Sequence, residues 1–128
     1  MIPPKEVEFL NQILIDKFGG TRGIRDKGAL ESALARPFQI FEGQDLYPTV
    51  LDKASSLIES ILINHPFLDG NKRLGYALLR LYLLKNNLDI LASQDNKYEF
   101  VIGVASGLLK HPEILSWLKA NTKTTKGR

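Results

Sequence analysis

Apolar side chains recur along this chain at intervals of three and four residues, the spacing of helices that bury one stripe. The first stripe is Val7, Leu10, Ile13, Leu14 and Phe18. It opens at Pro3-Pro4, where a missing N–H costs nothing, and stops at Gly19-Gly20, which supplies a left-handed end. A second helix is predicted over 26–35, capped by Asp26, with Leu30 and Leu34 inside and Arg36-Pro37 closing it. The period then breaks, and 38–47 reads as an irregular loop or a short hairpin around Gly43. A third helix is predicted from Pro48 to Asn64, with Val50, Ala54, Leu57, Ile58, Ile61 and Leu62 as its stripe; His65 continues that inward line. The fourth, from Gly70-Asn71 to Asn86-Asn87, is apolar almost all round and predicts a central helix packed on every side. Two more are predicted over 95–109 and 112–120. No strict alternation is long enough for a sheet. The fold class is all-α: a compact bundle of six or so helices around a buried central one, with a short hairpin or loop at 38–47.

Composition narrows the classes. The chain has 128 residues, 44% hydrophobic and 24% charged, with no cysteine. One domain over 1–120 accounts for the body. Disulfides, thiolate metal sites and cysteine nucleophiles are excluded. The start carries no signal-peptide pattern, and Arg73, Arg80 and Lys85 break the longest apolar stretch, so a cytoplasmic protein is expected, with no membrane partner. The net charge is +3. Lys119, Lys123, Lys126 and Arg128 supply that excess, so 121–128 reads as a basic, disordered tail on a near-neutral body. This distribution argues against direct nucleic-acid binding.

Chemistry concentrates between the third and fourth helices. His65, Asp69, Asn71, Lys72 and Arg73 stand at the start of the fourth helix, where unpaired backbone N–H groups and the helix dipole favour an anion. Gly70 admits a phosphate close to the backbone. Asp69 is suited to a magnesium ion shared with phosphates. Each residue also has a plainer role: Asp69 as a helix cap, Asn71 bonding the turn, His65 as a structural hydrogen-bonding group, Phe67 as an apolar anchor for the loop. Two adjacent cations at a helix N-terminus oppose its dipole by about 0.3–1 kcal/mol each, which favours an anionic partner over a merely solvated turn.

The segment His65-Pro-Phe-Leu-Asp-Gly-Asn-Lys-Arg73 resembles the signature of the Fic/Doc family, H-x-F-x-(D/E)-(G/A)-N-(G/K)-R, at every defined position. The upstream run from Gly19 to Pro37 is similar to that of death-on-curing members. The resemblance implies that His65 is the general base taking a proton from a target hydroxyl. It implies that Asp69 binds magnesium, that Gly70, Asn71, Lys72 and Arg73 hold ATP phosphates, and that Arg73 also neutralises charge during transfer. It makes 38–47 a flap that pairs with an extended stretch of the target. Lysine at position 72 is the death-on-curing form and implies phosphate transfer; Gly70 is the form typical of AMP-transferring relatives and keeps AMP transfer as the alternative. No inhibitory helix motif is found, since Ser55 and Glu59 are followed by Ser60. A separate Phd-like antitoxin is therefore implied, and elongation factor Tu as target. The reading from another class is a non-catalytic helical binding module, with 22–36 as an arm of a helix-turn-helix.

Overall fold

A computed structural model of the chain describes residues 2–125. Among them are six α-helices: α1 (Pro4–Phe18), α2 (Lys27–Ala35), α3 (Val50–Asn64), α4 (Asn71–Lys85), α5 (Gln94–Ala105) and α6 (His111–Asn121). Four short strands accompany them, β1 (Ile40–Phe41), β2 (Gln44–Asp45), β3 (Leu88–Ile90) and β4 (Thr122–Thr124). The all-α class holds. A 3-10 turn over Arg36–Phe38 leads into the 38–47 segment, which forms the β1–β2 hairpin with Phe41 opposite Gln44.

The central helix is α3, not α4. Eight of its residues are buried, and it packs on α2, α4, α5 and α6. Ser55, Ser56 and Ser60 sit in this core without penalty because each is hydrogen-bonded. Ser55 and Ser56 donate back to the Leu51 and Lys53 carbonyls, and Ser60 accepts from Arg36. The start of α3 lies past Pro48, at Thr49, whose hydroxyl accepts from the Asp52 amide while the Asp52 carboxylate accepts from the Thr49 amide. On α4, Leu74, Leu78, Leu79 and Leu83 face the core, but Leu81 and Leu84 do not. Its composition suggested burial on every side; instead its second apolar face lines an open cleft.

The α1 stripe is also rotated from expectation. Val7, Asn11 and Ile15 are the buried positions, while Ile13 and Phe18 are exposed. A polar residue, Asn11, holds the middle of the buried line because its side chain has a partner in the Asp69 carbonyl. The α2 cap is as expected, with Asp26 Oδ1 accepting from the Ala29 amide at 3.0 Å.

Residues 121–125 are not a disordered tail. Asn121 ends α6, and β4 pairs antiparallel with β3, Leu88 opposite Thr124 and Ile90 opposite Thr122. The backbone of β3, following α4, needs partners, and this stretch supplies them. Lys126, Gly127 and Arg128 lie outside the described residues. No helix among the described residues is long and apolar enough to cross a membrane.

Candidate active site

α3 ends on His65, whose φ of 47° is left-handed, a conformation few non-glycine residues adopt. The turn throws the His65 side chain out of the inward line that the periodicity suggested and into a cleft of about 1070 Å³ formed by α1, α4 and α5. Asp69, Gly70, Asn71, Lys72 and Arg73 line the same cleft. The structure thus brings together all six residues singled out from the sequence.

Phe67, 2% exposed, anchors the loop in the core. Asn71 closes it: its Oδ1 accepts from the Phe67 amide at 3.1 Å and its Nδ2 donates to the Phe67 carbonyl at 2.9 Å. The Asn71 side chain therefore bonds the turn. Gly70 precedes α4 with φ +77°, and a Cβ there would meet Ile15 Cδ1 at 3.1 Å. Glycine is favoured at this position by backbone geometry and by the closeness of α1. No side chain caps α4, and its first residues, Asn71, Lys72 and Arg73, line the cleft, so the positive end of the helix dipole lies at it.

The upstream segment holds the loop in place. Ile24 bridges Phe67, the Arg25 and Asp26 amides donate to the Pro66 carbonyl, and the Leu68 amide donates to Gly23. Asn11 donates from α1 to the Asp69 carbonyl at 3.2 Å, which explains its burial. The Thr21 amide donates to Asp69 Oδ2 at 2.8 Å, and Gly20 lets that segment approach, since a Cβ there would lie 3.2 Å from the Asp69 Cβ.

The cations differ in their surroundings. Arg73 lies over the Phe18 ring, 4.6 Å from its centroid. Arg80, further along α4, is tied to Asp89 at 3.1 and 3.3 Å, which raises its pKa. Lys72 is exposed at the mouth. Beyond the polar end, the cleft continues as an apolar trough with Leu10, Leu14, Leu81, Leu84 and Val101 on its walls. Ser55 and Glu59 stand elsewhere. Glu59 pairs with Arg36 at 2.8 Å and lines a separate cavity of about 420 Å³, so this pair makes no contact with the cleft.

Magnesium is tested by the donor set. No group of three metal-ligating side chains exists among the described residues. Asp69 alone offers a carboxylate, already oriented by Thr21. That suits an ion held by one carboxylate, waters and substrate phosphates, as magnesium commonly is, and does not suit a resident metal caged by protein.

Sequence reasoning missed Asn11, Thr21 and Arg25 as parts of this site. Asn11 carried a signal, a polar side chain inside an apolar stripe.

A six-helix fold with an H-x-F-x-D-G-N-K-R loop opening onto a cleft defines the class: the chain belongs to the Fic/DOC family, whose model matches residues 2–83. Within the family it is similar to Toxin Doc of Mycolicibacterium smegmatis, with 41% identity over 78 residues, 61% of this chain and 60% of the relative. It is also 23% identical over 118 residues to Protein kinase doc of Escherichia phage P1, 92% of each chain. The match thus spans three-fifths of the mycobacterial relative and nearly all of the phage one.

Proposed function

We propose that this chain is a nucleotide-dependent protein-modifying transferase that acts as a toxin, moving the γ-phosphate of ATP to a hydroxyl side chain of a target protein. One observation carries the reading: His65, Asp69, Lys72, Arg73 and the uncapped start of α4 converge on one cleft. The names Toxin Doc and Protein kinase doc point the same way.

In this reading the His65 imidazole takes the proton of the target hydroxyl. The hydroxyl oxygen forms a bond to the γ-phosphorus, the bond from that phosphorus to the bridging oxygen breaks, and ADP leaves with the electron pair. The α4 amides and Lys72 bind phosphate oxygens, and Arg73, steadied by Phe18, offsets charge that builds during transfer. Asp69 would hold magnesium, which supplies further charge neutralisation across the phosphates. The β1–β2 hairpin, with Ile40 and Phe41 exposed, offers an edge for an extended target segment.

AMP transfer drew support from Gly70, but that glycine has a local reason in its left-handed φ and the contact with Ile15. Its presence therefore carries no weight for that branch, and Lys72 favours γ-phosphate transfer. With Glu59 remote from the cleft, restraint falls to a separate antitoxin, Phd-like by family resemblance. The apolar trough fits an amphipathic segment of that partner. Elongation factor Tu is the target to test first, again by family resemblance.

The test uses the protein with magnesium, elongation factor Tu or cell extract, and ATP labelled on the α- or the γ-phosphate. γ-label transfer that disappears in His65→Ala is expected. α-label transfer would establish the AMP reading, and growth arrest unaffected by His65→Ala would overturn both.

A further inference from the structure

The Arg25 guanidinium donates from Nε to the His65 carbonyl at 2.6 Å and from Nη2 to the Asn64 carbonyl at 2.5 Å. These are the last carbonyls of α3, the ones a helix end leaves without intrahelical partners. His65 turns left-handed at that point, a conformation unfavourable for a non-glycine residue that persists only where surrounding structure determines it. The backbone bonds from 23–26 grip Pro66, Phe67 and Leu68, one residue or more beyond His65. The Arg25 side chain reaches the two carbonyls that flank the His65 turn. Two separated donors in a rigid plane fix the relative direction of those carbonyls, which a point charge cannot do. Arg25 itself does not line the cleft.

We infer that Arg25 is a positioning residue that clamps the end of α3 and so aims the His65 imidazole into the cleft from outside it. In its catalytic consequence the inference rests on the proposed transferase reading; in its structural content it does not. Because the Arg25 side chain meets His65 at its main-chain carbonyl and does not itself line the cleft, its loss changes the orientation of His65 and leaves nucleotide binding alone.

The test compares the full chain with Arg25→Ala, Arg25→Lys and His65→Ala. In solution NMR, the one-bond Cα–Hα coupling of His65 reports its left-handed φ. That signature is expected in the wild type and in His65→Ala at the same position, and is expected to vanish in Arg25→Ala while the resonances of α4 and α5 stay in place. In the label-transfer assay, Arg25→Ala is expected to lose about a hundredfold in kcat, the scale of a misplaced reacting group, with nucleotide KM unchanged. Arg25→Lys is expected to restore thermal stability but little of kcat, and added guanidinium ion to restore part of kcat in Arg25→Ala. A His65 coupling unchanged in Arg25→Ala would overturn the inference. So would wild-type kcat in Arg25→Lys, because charge alone would then suffice. If the wild type transfers no label, the proposed function fails, and the NMR comparison still decides whether Arg25 holds the turn.

Discussion

Gly75 lies where α4 crosses α3, the most extensive helix pair in the fold. A Cβ built there falls 2.8 Å from Leu62 Cδ2, 3.2 Å from Leu62 Cγ and 3.6 Å from Ile61 Cγ2. Leu62 and Ile61 are both fully buried, so neither has open space to move into. Two terms oppose each other in Gly75→Ala. Helix propensity gains about 1 kcal/mol, and forcing a methyl into a packed core costs about 1–3 kcal/mol. A net loss near 1 kcal/mol is expected. Leu62→Ala alone should cost about 2–5 kcal/mol, and it deletes both of the nearest clashing atoms. In that background the propensity gain remains and the new methyl fills part of the cavity, so Gly75→Ala should stabilise by about 1 kcal/mol. The sign thus inverts, a coupling of about 2 kcal/mol, within the range seen for residues in contact. Urea unfolding of the four proteins, followed by circular dichroism and compared at constant slope, reads it directly. Equal costs for Gly75→Ala in both backgrounds would refute the close-crossing argument.

Burial alone would push the Asp52 carboxyl up, but hydrogen bonds from the Thr49 side chain and amide, with His111 nearby, outweigh it and hold it below the ordinary 3.8. A depressed carboxyl adds stability that is present above its unfolded value and lost as pH falls through its folded value. Asp52→Asn should therefore be less stable than wild type at neutral pH, with the gap closing below about pH 4; a gap constant with pH in urea midpoints would refute the cause. Asp26→Ala removes the α2 cap and should cost about 1 kcal/mol, read by the same unfolding curves. Lys72→Met should leave those curves within about 0.5 kcal/mol of wild type, as exposed sites do, while abolishing γ-label transfer; retained transfer would remove Lys72 from the phosphate site.

Much of the fold was legible because helical periodicity is a local property. The α2 cap, the Gly19 stop and the α3 stripe all follow from side chains within a few residues of one another. What misled was composition read without context. The all-round apolar character of α4 has two causes, a core on one face and a cleft on the other, and no periodicity separates them. The β3–β4 pair was invisible for a different reason: each strand has three residues, and their partnership joins positions more than thirty residues apart. Charge counting made Lys123 part of a tail, whereas its backbone faces Asp89 across that pair.

The site shows the same division between local and distant causes, with a consequence for how its motif works. The nine residues from His65 to Arg73 carry the chemical groups, but few of the bonds that hold them lie inside the motif. Asn71 to Phe67 is internal. Asn11, Thr21, Gly23 and Arg25, together with the Arg25 and Asp26 amides, supply others, from one helix and one loop that precede the motif by 39 residues or more. A left-handed His65 and, five residues later, a left-handed Gly70 are not a conformation that nine residues keep alone. The upstream Gly19-to-Pro37 run is therefore the scaffold of the site, which gives a physical reason for its likeness to death-on-curing proteins. It also means that damage to the upstream run should mimic damage to the motif, and Arg25, whose side chain holds the end of α3 without lining the cleft, is where that equivalence is sharpest.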